Sequence, residues 1–363
     1  MKLALVGTGL IGASVGLAAR AAGTERVSGW DPDAAALAVA VERGAVGEGA
    51  GSLEEAVEGA DLAVVAAPIV ELPRTVEAVL AAAPERCAVT DVGSTKATVC
   101  AAAGSSRRFV GGHPICGAEV RGPEAAKAEI FRGATWFLTP LTATDPESYR
   151  LVHGFVASLG AVPVAVDPQA HDRLVALTSH VPHVLANLIV NQAGGQRIEG
   201  HEPLAAAGGS LRDMTRVAGA NPRIWVDIFL ENAGAILEAL GEHRRRLEQV
   251  ETALSAGDAG YLARWIGEAG ANRRRMLERQ YPDAGSLQRL RVHVPDRPGV
   301  LAGITQALGA ERINIEDFEL HHFSPERGGS LELYVTGESE AARAAALLES
   351  QGYAVVVSPV VDE

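Results

Sequence analysis

His113 stands between glycines and a proline in Gly111-Gly112-His113-Pro114-Ile115-Cys116-Gly117. An imidazole held in so constrained a turn can take a proton at neutral pH while a hydride leaves a neighbouring carbon. Ser94, in Asp91-Val92-Gly93-Ser94-Thr95-Lys96, carries a hydroxyl suited either to a ligand or to capping a helix. Cys116 with His113 has the spacing of a thiol–imidazole pair, but a small packed cysteine is the favoured reading. His180 and His183 lie three apart and share a helical face, either lining a pocket beside Pro182 or packing in a core. No HExxH pattern or acidic cluster accompanies them, so no metal is expected. Arg212 and Arg216, four apart and next to Asp213, are expected on one helix face. There a guanidinium either grips a carboxylate through two parallel hydrogen bonds or sits in a solvated, ion-paired surface.

The elements that position these residues begin at the N-terminus. Lys2 to Val6 reads as an apolar strand running into Gly7-Thr8-Gly9-Leu10-Ile11-Gly12, followed by a helix. In that setting the first glycine makes the turn, the second lets a pyrophosphate approach, and the third packs the helix against the strand. A second strand, Arg26 to Trp30, ends in Asp31, where a carboxylate can bind a ribose hydroxyl and repel a 2′-phosphate. NAD is therefore expected over NADP. The other reading of Asp31 is a cap for the helix beginning near Asp33. Strands at Asp61–Ala67 and Cys87–Val92 flank a helix at Glu71–Ala82, which predicts a parallel, doubly wound α/β sheet. Ligands bind such sheets beyond the carboxyl ends of the strands, so Pro68, Gly93, Ser94 and His113 should border one crevice.

With 363 residues the chain exceeds one ordinary core, and three domains are expected. A net charge of -13 disfavours nucleic acid as a partner. The three cysteines, Cys87, Cys100 and Cys116, show no C-x-x-C spacing and suit a reducing compartment. No apolar run is read as approaching the ~18 residues of a membrane span, so a cytoplasmic protein is expected. Apolar positions from Trp225 to Leu240 form a broad helical stripe, while Arg244–Arg246 and Arg273–Arg275 read as solvated helix surface. After a linker at Tyr281–Ser286 the pattern becomes βαββαβ, a ferredoxin-like order with a turn at Asp296-Arg297-Pro298-Gly299.

Taken in order along the chain, the glycine loop with Ala13 and Ser14, Asp91 to Lys96, Gly112-His113-Pro114 with Glu119, Ser179 to His183, and Arg212-Asp213 with Arg216 resemble the prephenate/arogenate dehydrogenase family of tyrosine biosynthesis. The resemblance implies NAD-dependent oxidative decarboxylation of prephenate to 4-hydroxyphenylpyruvate. It implies that His113 accepts a hydrogen bond from the substrate's ring hydroxyl and that Ser94 links that histidine to the nicotinamide. Arg216 would bind a substrate carboxylate, His183 would line the pocket, and Glu119 with Arg212-Asp213 would control its mouth. Asp296 to Leu301 with Ile313-Asn314-Ile315 resembles an ACT domain, which implies tyrosine as an effector near Pro298, Gly299 and Asn314, the other reading being a purely structural dimerisation module. The expected organisation is 1–167 for NAD, 168–282 helical for substrate and homodimerisation, and 287–363 regulatory.

Three other readings compete. Arogenate could be the substrate. A β-hydroxyacid dehydrogenase would share the Asp-x-x-Ser pattern at Asp91–Ser94, but that class uses a lysine in its helical domain, and His171 to Arg279 contains none. A non-catalytic NAD- and amino-acid-binding regulator could be built from the same domains.

Overall fold

The computed structural model describes residues 1–116, 121–280, 286–324 and 328–360. Gly117, Glu119 and the linker residues Tyr281–Gly285 lie outside the described residues. The chain divides into two compact units, Met1–Arg245 and Arg246–Glu363.

The first unit is built on β1 (Lys2–Val6), β2 (Arg26–Trp30), β3 (Glu48–Gly49), β4 (Leu62–Val65), β5 (Ala88–Asp91), β6 (Phe109–Pro114), β7 (Thr135–Pro140) and β8 (Val162–Ala165). They form one sheet in the order β3-β2-β1-β4-β5-β6-β7-β8. The first six run parallel. β7 reverses against β6, and β8 follows β7 in parallel, so the sheet is not parallel throughout. Strand alternation explains the two-sided core: Leu3 and Leu5 join one buried cluster, whereas Ala4 and Val6 join the cluster on the other face.

Helix starts follow local chemistry. Asp33 accepts from the Ala35 N–H and starts the helix Ala34–Glu42, so Asp33 rather than Asp31 is the cap. Ser52 caps Leu53–Val57 by accepting from the Glu55 N–H, and Glu55 reaches back to the Gly51 N–H. Asp167 caps Pro168–Val175 through the N–H groups of Gln169 and Ala170, with Pro168 in the first turn, where its missing N–H costs nothing.

That helix continues through a widened π turn at Ala176–His180 into Val181–Gly194. Pro182 lacks the N–H that would return to Thr178, and the wide turn absorbs the loss where a kink is expected from sequence. By length and composition alone this 27-residue helix is apolar enough to cross a membrane, contrary to the reading that no run approaches that length. Its His171, Asp172 and His180 are nonetheless buried against protein partners within the first unit.

In the second unit, β9 (Leu287–Val294), β10 (Asp317–Ser324), β11 (Gly328–Thr336) and β12 (Ala354–Pro359) form an antiparallel sheet in the order β10-β11-β9-β12. With the helices Val300–Ala310 and Glu338–Ser350 this is the βαββαβ arrangement read from sequence. Leu290, Val292, Leu331 and Leu333 pack with Ile304, Leu308 and Leu348 of the two helices.

Candidate active site

The glycine loop has the form a dinucleotide requires. Gly7 has φ +96°, and a Cβ there would lie 2.4 Å from the Ala66 carbonyl oxygen. A Cβ at Gly12 would strike the Gly7 carbonyl, whereas a Cβ at Gly9 would meet nothing within 4 Å. Two glycines are therefore needed for packing, and the third faces open space at the start of the helix Leu10–Ala21, whose half-buried Leu10 and Ile11 form its first turn. Asp31 lies at the end of β2, where Oδ2 accepts from the Thr8 N–H at 2.6 Å and from the Thr8 hydroxyl at 3.1 Å. Those bonds set the carboxylate beside the loop, and it remains half-buried. Loop, helix terminus and carboxylate together suit an adenosine ribose and a pyrophosphate.

His113 sits at the carboxyl end of β6, half-buried, in the strand next to β5. Its Nδ1 lies 2.9 Å from Nε2 of His171, a buried residue of the Pro168–Val175 helix. His171 Nδ1 in turn lies 2.8 Å from Asp172 Oδ1. The Asp172 carboxylate also accepts the Lys96 N–H at 2.7 Å and the Ala97 N–H at 2.8 Å. It thus caps the helix Ala97–Ala103 from 75 residues away. Ser94 lies before that helix, half-buried, and is not its cap, so the capping reading of its hydroxyl falls. Burial, and then the positive field of the neighbouring Lys96 ammonium, hold the His113 pKa well below the ordinary 6.5.

Lys96 is fully buried. Its ammonium pairs with Asp91 Oδ2 and donates to the Gly112 carbonyl at 2.7 Å, while Asp91 accepts from the N–H groups of Gly93 (2.8 Å) and Gly112 (3.0 Å). The ends of β5 and β6, which carry Ser94 and His113, are thereby tied together. A Cβ at Gly112 would lie 2.4 Å from the Asp91 carbonyl oxygen, which explains the glycine beside His113.

Further along the long helix, His180 meets the Asn232 amide at 3.0 Å, and burial lowers its pKa to about 4. Asn232 also donates to the Asp172 carbonyl at 2.8 Å. His183 bonds the Ser179 carbonyl through Nδ1 at 2.9 Å and stacks on Trp225 with ring centroids 3.5 Å apart. Burial lowers its pKa, and the positive charge of Arg216 contributes, which places Arg216 within electrostatic reach of His183. Arg216 is exposed and lies beyond the short helix Gly209–Met214, so it does not share one helix face with Arg212, contrary to expectation. Arg212 and Asp213 are exposed on that helix. Pro68 is exposed beyond β4. Cys116 is half-buried and its thiol is pushed up to about 11, which makes it a poor nucleophile.

Sequence reasoning missed His171, Asp172, Lys96 and Asn232. A signal existed: His171-Asp172 in the first turns of an apolar helix, where a buried carboxylate must find partners.

In the second unit, Pro298 and Gly299 line a cavity of ≈ 160 Å³ with Asp296, Arg297, Leu301 and Leu320. Asn314 is not in its lining, and its amide donates to Glu316 at 2.8 Å.

A doubly wound sheet with this loop and a strand-end imidazole defines a nucleotide-dependent oxidoreductase. Comparison with known proteins narrows the class. Residues 15–165 match the prephenate dehydrogenase nucleotide-binding domain, 167–268 the prephenate dehydrogenase dimerization domain, and 288–352 the ACT domain. The chain is 32% identical to prephenate dehydrogenase of Bacillus subtilis (strain 168), over 96% of this chain and 95% of that one. Among solved structures it resembles Synechocystis arogenate dehydrogenase (29% identity, TM-score 0.71, covering 76% of this chain and all of that one). It also resembles Aquifex aeolicus prephenate dehydrogenase in complex with hydroxyphenyl propionate and NAD+ (27% identity, TM-score 0.71, 76% and 98%). The chain belongs to the prephenate dehydrogenase family.

Removing the Lys96 ammonium strands the buried Asp91 charge. Lys96→Met should therefore destabilise the protein by about 3–5 kcal/mol. Denaturant unfolding checks this, and an unchanged midpoint would show that the pair contributes nothing.

Proposed function

We propose that this chain catalyses NAD-dependent oxidative decarboxylation of prephenate to 4-hydroxyphenylpyruvate. The observation that carries the reading is His113: its Nδ1 is engaged by His171, so Nε2 is the nitrogen left for substrate at the carboxyl edge of the sheet. Bound NAD+ supplies the hydride acceptor. His113 accepts the ring hydroxyl and takes its proton as hydride leaves the carbon that bears it, which prevents full positive charge from building on that carbon. The carbon–carboxylate bond across the ring then breaks, carbon dioxide departs, and its electron pair makes the ring aromatic. The oxygen, now a phenolate, takes the proton back from His113. No net proton is released, and aromatisation makes the step effectively irreversible.

In this reading Ser94 links His113 to the nicotinamide, and Gly7, Gly9, Leu10, Ile11, Gly12, Asp31 and Pro68 border the cofactor. Arg216 binds a substrate carboxylate, His183 lines the pocket, and Arg212, Asp213 and Glu119 stand at its mouth. The domains are 1–167, 168–282 and 287–363. A cytoplasmic location suits three free cysteines. Exposed Leu188, Leu230 and Leu237 in the region matching a dimerization domain support a homodimer.

His113→Asn should lower kcat by about 10²–10⁴-fold with NAD+ binding kept; retained turnover would remove the assignment of His113 as base. The base must be neutral, and its pKa is depressed, so protonation begins only well below pH 6.5. The kcat/KM profile of the parent enzyme should accordingly stay flat from pH 8 down through about 6.5 and fall only in more acid solution.

Steady-state kinetics with prephenate and arogenate, each with NAD+ and NADP+, checks substrate and cofactor together. Prephenate with NAD+ should be the best pair, because Asp31 repels a 2′-phosphate and Arg43 is occupied at the Ala126 carbonyl. The Synechocystis relative favours arogenate as the second reading, and equal or better arogenate turnover would establish it.

The ACT match and the cavity at Pro298 and Gly299 support tyrosine as an inhibitor. Tyrosine should depress turnover of the full chain, and Gly299→Val, which forces a side chain onto φ +90°, should blunt the response. Indifference of the parent enzyme to tyrosine would end this proposal. Sedimentation of the same samples should read a dimer.

A further inference from the structure

The hydrogen bonds around His113 fix more than its position. Asp172 is buried, and its two carboxylate oxygens accept backbone N–H groups from Lys96 and Ala97. A carboxylate in that setting is an acceptor, so the His171 nitrogen facing it at 2.8 Å, Nδ1, carries the hydrogen. In a neutral imidazole the other nitrogen then has a lone pair, so His171 Nε2 accepts. Its partner at 2.9 Å, His113 Nδ1, must donate. His113 therefore holds its hydrogen on Nδ1 and leaves Nε2 bare. One chain of bonds, anchored on a helix N-terminus, dictates which tautomer the base adopts.

We propose that His171, backed by Asp172, is the positioning residue that keeps His113 in the base-competent tautomer and accepts its Nδ1 proton during the reaction. The inference rests on the proposed dehydrogenase reading, in which His113 is the base. When Nε2 takes the substrate's hydroxyl proton, the Nδ1 proton passes to His171 Nε2. The positive charge then sits on the ring that contacts the Asp172 carboxylate. When the phenolate forms, both protons return along the same path, so nothing is gained or lost. The second histidine offsets the cost of charging a buried first one, because the cation is held beside a carboxylate instead of beside the Lys96 ammonium.

The geometry around the pair supports this role. Phe137 meets the His171 ring edge-on with centroids 5.3 Å apart, and His113 and His171 are themselves inclined at 70°, so neither ring can turn without breaking its contacts. The Asn232 amide, bonded to the Asp172 carbonyl, holds the same turn of helix.

Two variants test the proposal in the full-length enzyme with prephenate and NAD+. His171→Leu removes the acceptor and should lower kcat by about 10²-fold or more while KM and NAD+ affinity stay within about threefold. Nitrogen-15 NMR of the imidazoles should show His113 shifting from the Nδ1–H form toward the Nε2–H form. His171→Gln retains a carbonyl oxygen able to accept from Nδ1, and should restore the Nδ1–H form and about tenfold of the lost kcat. Wild-type kcat in His171→Leu would overturn the proposal. So would an unchanged His113 tautomer in that variant, since the loss would then be structural. If His113→Asn abolishes turnover while His171→Leu does not, the relay falls and the base assignment stands. Turnover surviving in His113→Asn removes the base assignment itself.

Discussion

A carboxylate taken out of water costs several kcal/mol unless its lone pairs are filled by good donors. Asp172 meets that condition with three hydrogens: two from the Lys96 and Ala97 backbones at the start of the helix Ala97–Ala103 and one from the His171 ring on its own helix. The demand is what binds the long helix to the sheet at the edge that carries His113. Because the charge must be satisfied, the helix can dock in only one register and rotation. That docking carries His171 to His113 and sets His180 and His183 further along the same helix.

A second buried charge does comparable work below the first. The Lys96 ammonium is closed off from solvent and, among the described residues, is held by Asp91 and the Gly112 carbonyl, so the strand ends of β5 and β6 cannot separate without exposing an unpaired ion. The two carboxylates converge on one residue, Asp91 on the Lys96 side chain and Asp172 on its backbone. The short segment from Asp91 to Ala97 is thereby immobilised at both ends, with Ser94 between them. A network this fully satisfied stiffens the site; one missing member would leave buried charge uncompensated.

Much of this was legible in the linear chain. The glycine loop, Asp31 and the alternation of strands and helices carry their meaning locally, because a turn, a cap or a strand period depends on residues close in sequence. His113 stood out for the same reason, since its neighbours restrict the backbone around it. The βαββαβ order of the second unit was also plain, helped by Pro298-Gly299 at a helix start and glycines at the hairpin. What stayed hidden was pairing across long separations. His113 and His171 are 58 residues apart, and Lys96 and Asp172 are 76 apart. No periodicity links them. The reversal of β7 was hidden too, since a strand's own sequence does not state which way its neighbour runs. The expected shared face of Arg212 and Arg216 failed at a helix end, where Thr215 closes the turn after only six helical residues.

Under the proposed mechanism, the charge layout also accounts for an imidazole serving as the base. A chain of net charge -13 that receives a dianion needs positive charge at the substrate, yet a cation beside the base would compete with its proton. The structure separates the two demands. The Lys96 ammonium is paired with Asp91 and ties β5 to β6, so it serves the fold. Arg216 is exposed, and its positive charge adds to the lowering of the His183 pKa. In the proposed reading the imidazole thus stays neutral and able to accept a proton, while the exposed Arg216 guanidinium is the charge that receives a substrate carboxylate. Were the positions exchanged, with a free cation at the strand ends and a neutral rim, His113 would be just as deprotonated but the substrate's carboxylates would be drawn onto the base. In the proposed reading, the orientation that presents the ring hydroxyl to Nε2 would then be lost.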